Sequence, residues 1–408
     1  MKRTILHCDC NSFFASVETA LDPSYKNVPM AVCGSEDNRH GIVLAKNELA
    51  KKYGIKTAET VWSAKRKCPS LVIAQPHYGE YLRYSKRVND IYARYTDVIE
   101  PFGIDESWLD VTGSERLFGS GLQIAERIRN EVKKEIGITV SVGVSFNKVF
   151  AKLGSDYKKP DAVTVINEDN FKDIVYPLPC SDLLFIGQKT SEELSRLGIR
   201  TIGELAHVSR QLLISRFGKS GEMLYRYSRG EDDSPVIPQD EREDAKSVGS
   251  GYTFKRNLLG REEARVGIEF LSEDVATRLR RLSMKCRTVQ LTIKDEYLRV
   301  IQRQAQIDPP SDIAKEISTL AYNILEKEWK SDAPIRMLTV TASNLTGSDM
   351  ITEQLSFFSE NNEEERNKNR KKEETVDNIR QRFGSAAILN GSFLETDIGI
   401  TTPKSRKE

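Results

Sequence analysis

The chain has 408 residues, 38% of them hydrophobic and 30% charged, with 61 Lys and Arg against 60 Asp and Glu. At about 100–200 residues per domain, that length points to roughly two to four domains, and no apolar run nears the roughly 18 residues of a spanning helix. The net charge of +1 excludes only a chain that is basic throughout, because a balanced sum can hide opposed local excesses.

Ile5–Cys8 is a short apolar run closed by Asp9, and Phe13–Thr19 has helical spacing. Pro29–Cys33 and Ile42–Ala45 read as buried strands. Asn47–Lys52, Thr60–Lys67 and Tyr78–Tyr95 read as helices, the last with Tyr81, Tyr84, Val88, Ile91, Tyr92 and Tyr95 near one stripe. A strand pair around Ile104–Val111, a helix at Leu122–Ile136, a strand at Thr139–Ser145 and a helix at Lys148–Ser155 continue an α+β layer pattern to residue 166. Pro177 and Pro179 then mark a change to short helices interrupted by Gly187, Gly198, Gly203 and Gly218. Gly230–Asp244, with Pro235 and Pro238, reads as a polar linker. A second α/β pattern runs from Lys246 to about Asn344, with helices near 264–282 and 313–328 and strands near 289–294 and 338–342. Beyond Ser348 the chain turns polar, and Glu360–Lys372 is expected to be disordered or a solvated helix. Cys8, Cys10, Cys33, Cys68, Cys180 and Cys286 contain no CxxC pair and are expected as reduced thiols of a cytosolic protein.

Three acidic residues stand where strands disfavour them: Asp9 at the end of its apolar run, and Asp105 and Glu106 within Gly103–Asp110. Two like charges at about 4 Å cost roughly 4 kcal/mol at an effective dielectric of about 20 unless something compensates. Hard carboxylate oxygens suit Mg²⁺, and two such ions can activate an attacking hydroxyl and stabilise a leaving phosphate. An Asp-Glu pair taken alone is more readily a hairpin edge in water. Its neighbours are lysines: Lys148, Lys152, Lys158 and Lys159 in one stretch, and Lys46, Lys51 and Lys52 in another. Lysine can meet a triphosphate as a point charge, or simply solvate a helix face. Phe13 and Phe14 follow directly after Asp9 and read as core or as part of the same site.

The stretches His7–Glu18, Asp105–Asp110 and Ser141–Lys152, running on to Lys159-Pro160, together resemble the Y-family translesion DNA polymerases, most like the DinB (DNA polymerase IV) branch. The resemblance extends to about Asn344. It implies an α+β right-hand polymerase with a ferredoxin-like palm (1–10 and 77–166) and small fingers (11–76). A helical, helix-hairpin-helix-like thumb (167–233) and a linker (234–244) would follow, then an α/β little finger (245–348) and a polar tail (349–408). Asp9, Asp105 and Glu106 would be catalytic carboxylates holding two Mg²⁺ ions, with Mn²⁺ able to substitute, and the backbone carbonyl of Cys10 would complete one site. Phe14 would be the steric gate under the incoming sugar. Lys51, Lys159 and the backbone at Ser12 and Phe13 would meet the triphosphate, the last two as helix-start donors. Asn11 stands where many DinB proteins have a second Asp, a position that is not an essential ligand. Glu48 and Lys51 stand where the fingers often carry Tyr and Arg, a feature closer to UmuC-like proteins. Phe185 replaces the first Gly of the usual thumb hairpin.

Lys246–Arg303 contains thirteen Lys or Arg against seven acids, a local excess suited to duplex phosphates. Lys246, Arg278, Arg280, Arg281, Lys285, Arg287 and Arg336 are the expected DNA contacts. Gln354, Leu355, Phe357 and Phe358 in the polar tail resemble a peptide that binds the bacterial sliding clamp. Each buried apolar side chain could contribute on the order of 2 kcal/mol before ordering costs. The expected activity is template-directed, low-fidelity DNA synthesis past damaged bases, without proofreading, by a monomer in the bacterial cytoplasm at the nucleoid. The primer 3′-hydroxyl would attack a dNTP α-phosphate and release pyrophosphate. The alternatives are a palm-type nucleotidyl cyclase and a non-catalytic, clamp-docked DNA-binding protein.

Overall fold

The computed structural model describes residues 3–34, 41–241, 244–329, 333–347, 360–393 and 396–400. Two compact units divide the chain. One comprises Met1–Gly34 and Ile42–Arg242, and the main part of the other is Glu243–Glu408.

The first unit begins with β1 (Ile5–Cys10), α1 (Phe13–Leu21), β2 (Met30–Cys33), β3 (Val43–Lys46), α2 (Glu48–Lys51), α3 (Val61–Lys67) and β4 (Val72–Ala74). It continues with α4 (Tyr78–Tyr92), β5 (Ile99–Pro101), β6 (Glu106–Asp110), α5 (Glu115–Phe118), α6 (Gly121–Glu135), β7 (Val140–Ser145), α7 (Lys148–Tyr157) and β8 (Val163–Ile166). Helix starts follow local capping chemistry. Asn47, Thr60 and Asn147 each accept a backbone N–H at the head of α2, α3 and α7, and Ser120 and Gln123 form a capping box on α6. β4 and β8 are too short to show a period in the sequence. The predicted helix at Tyr78–Tyr95 ends at Tyr92.

The main sheet has the order β5-β6-β1-β7-β8, antiparallel except for β7 with β8, and β3-β2-β4 form a separate small sheet. β1 is central and buried along its whole length, which is why it lacks polar–apolar alternation. Its residues still divide by face. Leu6, Cys8 and Cys10 pack with Leu109 and Val142 against the apolar stripes of α4 and α6, including Tyr81, Val88, Ile124 and Ile128. Ile5, His7 and Asp9 turn to the other face, where α7 lies. That helix sits directly on the backbone of β7, because a Cβ on Gly143 would come within 1.9 Å of the Ala151 carbonyl. Only glycine permits so close an approach.

α8 (Phe171–Val175), α9 (Gln188–Arg196), α10 (Ile202–His207), α11 (Arg210–Phe217) and α12 (Lys219–Ser228) then gather around Leu183, Leu194, Leu205, Leu213 and Leu224. Phe185 is exposed with φ 67°, the left-handed conformation glycine would favour. The expected linker starts as folded chain. Val236 is buried with Ile5 and Trp108, and the Ile237 N–H donates to Glu100 Oε2 at 2.8 Å.

The second unit contains β9 (Ser247–Leu258), α13 (Gly260–Arg281), β10 (Met284–Asp295), β11 (Val300–Ser311), α14 (Ala314–Glu328), β12 (Ile335–Gly347) and α15 (Glu360–Phe383). Its antiparallel sheet has the order β11-β10-β12-β9. β11 escaped sequence reading because Asp308-Pro309-Pro310 argues against a strand; at the sheet edge proline costs no ladder bond. Phe254, Leu291, Ile293, Leu338 and Val340 meet Ile268, Leu271, Val275 and Ile317 of α13 and α14. The opposite rows, Gln304–Gln290–Thr341–Gly249 and Gln302–Thr292–Thr339–Gly251, carry no charge.

The polar tail expected over 349–408 is corrected where it is described. α15 is docked on the second unit by ion pairs. Arg366 pairs with Glu316, Arg370 with Asp312 and Arg380 with Glu273, while Glu373 and Asp377 hold Arg280. Phe393, Ile398 and Ile400 then enter the hydrophobic core, and the Ile398 carbonyl accepts the Lys255 N–H at 2.9 Å. Composition reads such a segment as solvated, because its partners lie far away in sequence.

Candidate active site

Strand register assembles the site. Asp9 lies opposite Glu106, and His7 opposite Trp108, on the face covered by α7. The Cys10 N–H donates to the Asp105 carbonyl at 3.0 Å, which sets the third carboxylate beside the strand end. Asp9, Cys10, Phe14, Lys51, Asp105 and Lys159 line one cleft of about 320 Å³.

Lysines from α7 and its C-terminal turn fill the space among the carboxylates. Lys152 Nζ lies 3.1 Å from both Asp9 Oδ2 and Glu106 Oε1, and Lys159 Nζ lies 2.6 Å from Asp9 Oδ2. Asp156 pairs with both lysines, at 3.1 and 2.7 Å. Burial acts to lower the pKa of each ammonium, but Asp9 and Asp156 outweigh it and hold both above the usual lysine value. Burial, then the charges of Asp9 and Glu106, push the Asp105 carboxyl up to about 6. The cluster therefore carries an excess of negative charge that cations relieve, and two ammonium groups already occupy that role. Among the described residues no three His, Cys, Asp or Glu side chains form a ready cage for an ion; Asp9 and Glu106 are turned onto Lys152 instead. The donor set of three carboxylates and a main-chain carbonyl is nonetheless all hard oxygen and fits a divalent cation.

Behind the carboxylates His7 is fully buried. Its Nδ1 is 2.8 Å from Ser155 Oγ, and its Nε2 has no hydrogen-bond partner and lies 3.6 Å from Glu106 Oε2. Burial, then the Lys152 charge, lower its pKa to about 3, so the ring is neutral.

The aromatic pair divides its roles. Both line the cleft, but Phe13 is buried in the core, whereas Phe14 is half-buried. Ser12 precedes α1 at φ 47° and makes no side-chain cap, so the first N–H groups of the helix are not capped by it. Lys51 donates to Glu48 Oε1 at 2.5 Å and Ser12 Oγ to the same oxygen at 3.1 Å. Glu48 thus holds the cation that the resemblance expects at a triphosphate.

The lysine cluster read as phosphate ligands splits up. Lys148 does not reach the carboxylates; it is bound to Glu100 at 2.7 Å and lies over the Trp108 ring. Lys158 is exposed beside Tyr157. Lys46, which also lines the cleft and donates to Thr57 Oγ1 at 3.0 Å, and Lys152 were named in the sequence only as members of basic runs, with no role of their own. Their signal was only position within a basic run.

In the second unit Lys246, Arg278, Arg281 and Arg287 are exposed, and Lys285 and Arg336 are half-buried. Arg280 is a correction. Its side chain is 9% exposed, and it donates to Glu373 Oε2 at 2.5 Å, Asp377 Oδ2 at 2.7 Å and the Asp312 carbonyl at 2.8 Å. It is committed to α15 and not presented to DNA. Gln354, Leu355, Phe357 and Phe358 lie outside the described residues.

Comparison with known proteins covers most of the chain. Residues 8–156 match the impB/mucB/samB family, 181–232 the thumb domain of DNA polymerase-iota, and 245–357 the impB/mucB/samB family C-terminal domain. A DNA polymerase IV of Acetivibrio thermocellus is 47% identical over 395 residues, covering 97% of this chain and 98% of that protein. One from Clostridium kluyveri is 36% identical, covering 97% and 99%. A solved Y-family DNA polymerase chimera of Dbh and Dpo4 shares the fold, with TM-score 0.75 at 24% identity over 84% of this chain and 99% of the chimera. Full-length identity of this order, joined to carboxylates and lysines gathered on one cleft, shows that the chain belongs to the Y-family of DNA polymerases, on the DinB-like DNA polymerase IV branch.

Proposed function

We propose that Asp9, Asp105 and Glu106 are the catalytic carboxylates of this DNA-directed, translesion DNA polymerase, acting with two Mg²⁺ ions on primer–template DNA and dNTPs. The observation that carries this reading is the pairing of Asp9 with Glu106 across β1 and β6, beside a third carboxyl raised to about 6 by burial and its neighbours. The metal requirement belongs to the family; the choice of Mg²⁺, with Mn²⁺ as a substitute, rests on the oxygen-only donor set. Asp9, Asp105, Glu106 and the Cys10 carbonyl would hold the ions, whose charge activates the attacking hydroxyl and stabilises the leaving phosphate.

The chain's own groups do the rest. Lys159 leaves Asp9 for the triphosphate, and Lys51 leaves Glu48 in the same way. Lys152 remains over Asp9 and Glu106 and limits their repulsion before substrate arrives. The open N–H groups of α1 at Ser12 and Phe13 point at phosphate oxygens. Positioning and charge stabilisation then bring the primer 3′-hydroxyl in line with the α-phosphate. The domain reading follows the expected boundaries, with the main sheet as palm, the small sheet as fingers, α8–α12 as thumb and the second unit as little finger. α15 and the residues after it are added to the little finger rather than left as a tail. Short fingers enclose the new base pair loosely, consistent with low fidelity. Exposed Arg281 and Arg287, with Arg278, Lys246, Lys285 and Arg336, meet the duplex backbone. Among the described residues no helix is long and apolar enough to cross a membrane; a monomer working at the bacterial nucleoid completes the proposal.

Primer extension with Mg²⁺ and dNTPs, on intact and lesion-bearing templates, tests the activity directly. Failure to extend any primer would sink it. Phe14→Ala is expected to raise ribonucleotide use by about 10²-fold or more. Unchanged sugar discrimination in single-nucleotide incorporation assays would remove Phe14 as the gate. Changing Gln354, Leu355, Phe357 and Phe358 to Ala is expected to abolish stimulation by a bacterial sliding clamp while basal extension persists. Stimulation that survives would exclude this peptide as the main anchor.

A further inference from the structure

Glu18 is a carboxylate in the wrong place for a simple helix. It lies on α1 one turn after Phe14 and is 2% exposed. A buried carboxylate is costly unless fully hydrogen-bonded, and an apolar residue would fill the same space without that cost. Here every partner comes from the start of α4. The Tyr81 hydroxyl donates to Glu18 Oε1 in a short bond, the His77 N–H approaches the same oxygen at 3.2 Å, and His77 Nδ1 lies 3.0 Å from Oε2.

The Tyr81 ring so held is the surface on which Phe14 rests. The two rings are stacked, centroids 4.2 Å apart and planes within 10°. Tyr78 meets Phe14 edge-on at 5.7 Å from the side. Burial, then the bond to Glu18, raise the Tyr81 phenol far above its ordinary pKa, so it stays a donor. A ring that excludes a 2′-hydroxyl works only if it cannot retreat when a ribose presses on it. Misplacement of about 1 Å is enough to change rates by about 10²-fold.

We propose that Glu18 is a positioning residue for sugar selection: by fixing the Tyr81 hydroxyl it makes Tyr81 a rigid backstop that holds Phe14 against the cleft. The inference rests on the reading of Phe14 as the gate. It adds a polar lock, buried Glu18 and Tyr81 with the exposed His77, that never touches the nucleotide. Glu18→Gln keeps the shape but loses the charge that anchors the hydroxyl, and Tyr81→Phe keeps the stacked ring but loses the hydroxyl itself.

The test is single-nucleotide incorporation by the full chain, comparing kcat/KM for a dNTP and the matching rNTP, with melting curves as a control for folding. Glu18→Gln and Tyr81→Phe are each expected to lower the dNTP preference about tenfold, chiefly through a lower KM for the rNTP. Neither is expected to add anything in a Phe14→Ala background, because the lock acts only through that ring. If Phe14→Ala lowers the preference but both lock variants leave it within about twofold, the proposal falls and the gate reading stands. An equal effect of Glu18→Gln with and without Phe14 also overturns it. If Phe14→Ala itself changes nothing, the gate reading falls and the lock with it. Should Glu18→Gln fail to fold, Tyr81→Phe decides alone.

Discussion

Changing Asp105 and Glu106 together to alanine is expected to lower primer extension by on the order of 10³-fold or more, about 4 kcal/mol of transition-state stabilisation. The loss should not come from unfolding. Asp105 has its carboxyl raised from 3.8 to about 6 by burial, then by Asp9 and Glu106. A carboxyl whose folded pKa lies above its unfolded one stabilises the fold only while protonated, and that contribution disappears as pH rises from about 4 to about 6. Removing the pair deletes the penalty, and Lys152 keeps Asp9 and Asp156 as partners. In metal-free buffer the variant should therefore melt no lower than the parent chain at pH 7. Its relative advantage should shrink toward pH 4. Extension near the parental rate would end the assignment of these carboxylates. A variant that melts much lower would mean the cluster holds the fold together instead.

The second large effect concerns Arg280. Changing it to alanine is expected to destabilise the second unit by about 3–5 kcal/mol, because Glu373 and Asp377 are left as partly buried, uncompensated charges. Arg281→Ala, one residue away and exposed, should stay within about 0.5 kcal/mol. DNA affinity should show the reverse order once folding is controlled: Arg281→Ala weakens duplex binding and flattens its salt dependence, while folded Arg280→Ala binds nearly as the parent does. Denaturant melts and salt-dependent DNA titrations distinguish the two. An Arg280→Ala protein that melts normally and binds DNA as weakly as Arg281→Ala would restore Arg280 to the DNA face. Its pairing with α15 would then carry no weight.

The carboxylates and Arg280 mark the boundary of what was legible. The carboxylates could be read from the chain because strands select against Asp and Glu, so acidic residues inside strand patterns stand out. α4 was equally visible, since Tyr81, Tyr84, Val88 and Ile91 repeat with the period of a buried stripe. Basic runs gave no such discrimination. Lys148 and Lys152 are one helical turn apart on α7, yet one rests on Trp108 and Glu100 and the other on Asp9 and Glu106. Which partner each receives depends on the residue of β6 beneath it, and only strand register decides that. Arg280 was misjudged for the same reason: a run of arginines at a helix end looks like a DNA surface until another helix arrives to neutralise one of them.

By itself, then, the sequence determined the α+β layering and set three acids in strand-like runs, and its motifs together carried the resemblance to the Y-family from which the roles proposed for those acids and for Phe14 come. The layering and the acids each leave a local mark: a period of 2 or 3.6, or an acid where a strand should be apolar. Only the tertiary structure decided that Lys152 and Lys159 are the cations among those acids, that Glu18 sits behind the stacked Phe14 and Tyr81 rings, and that α15 is docked by its charges. Ion pairs and ring stacks form between residues tens to more than a hundred positions apart. Their energy depends on burial and distance, neither of which composition or periodicity records.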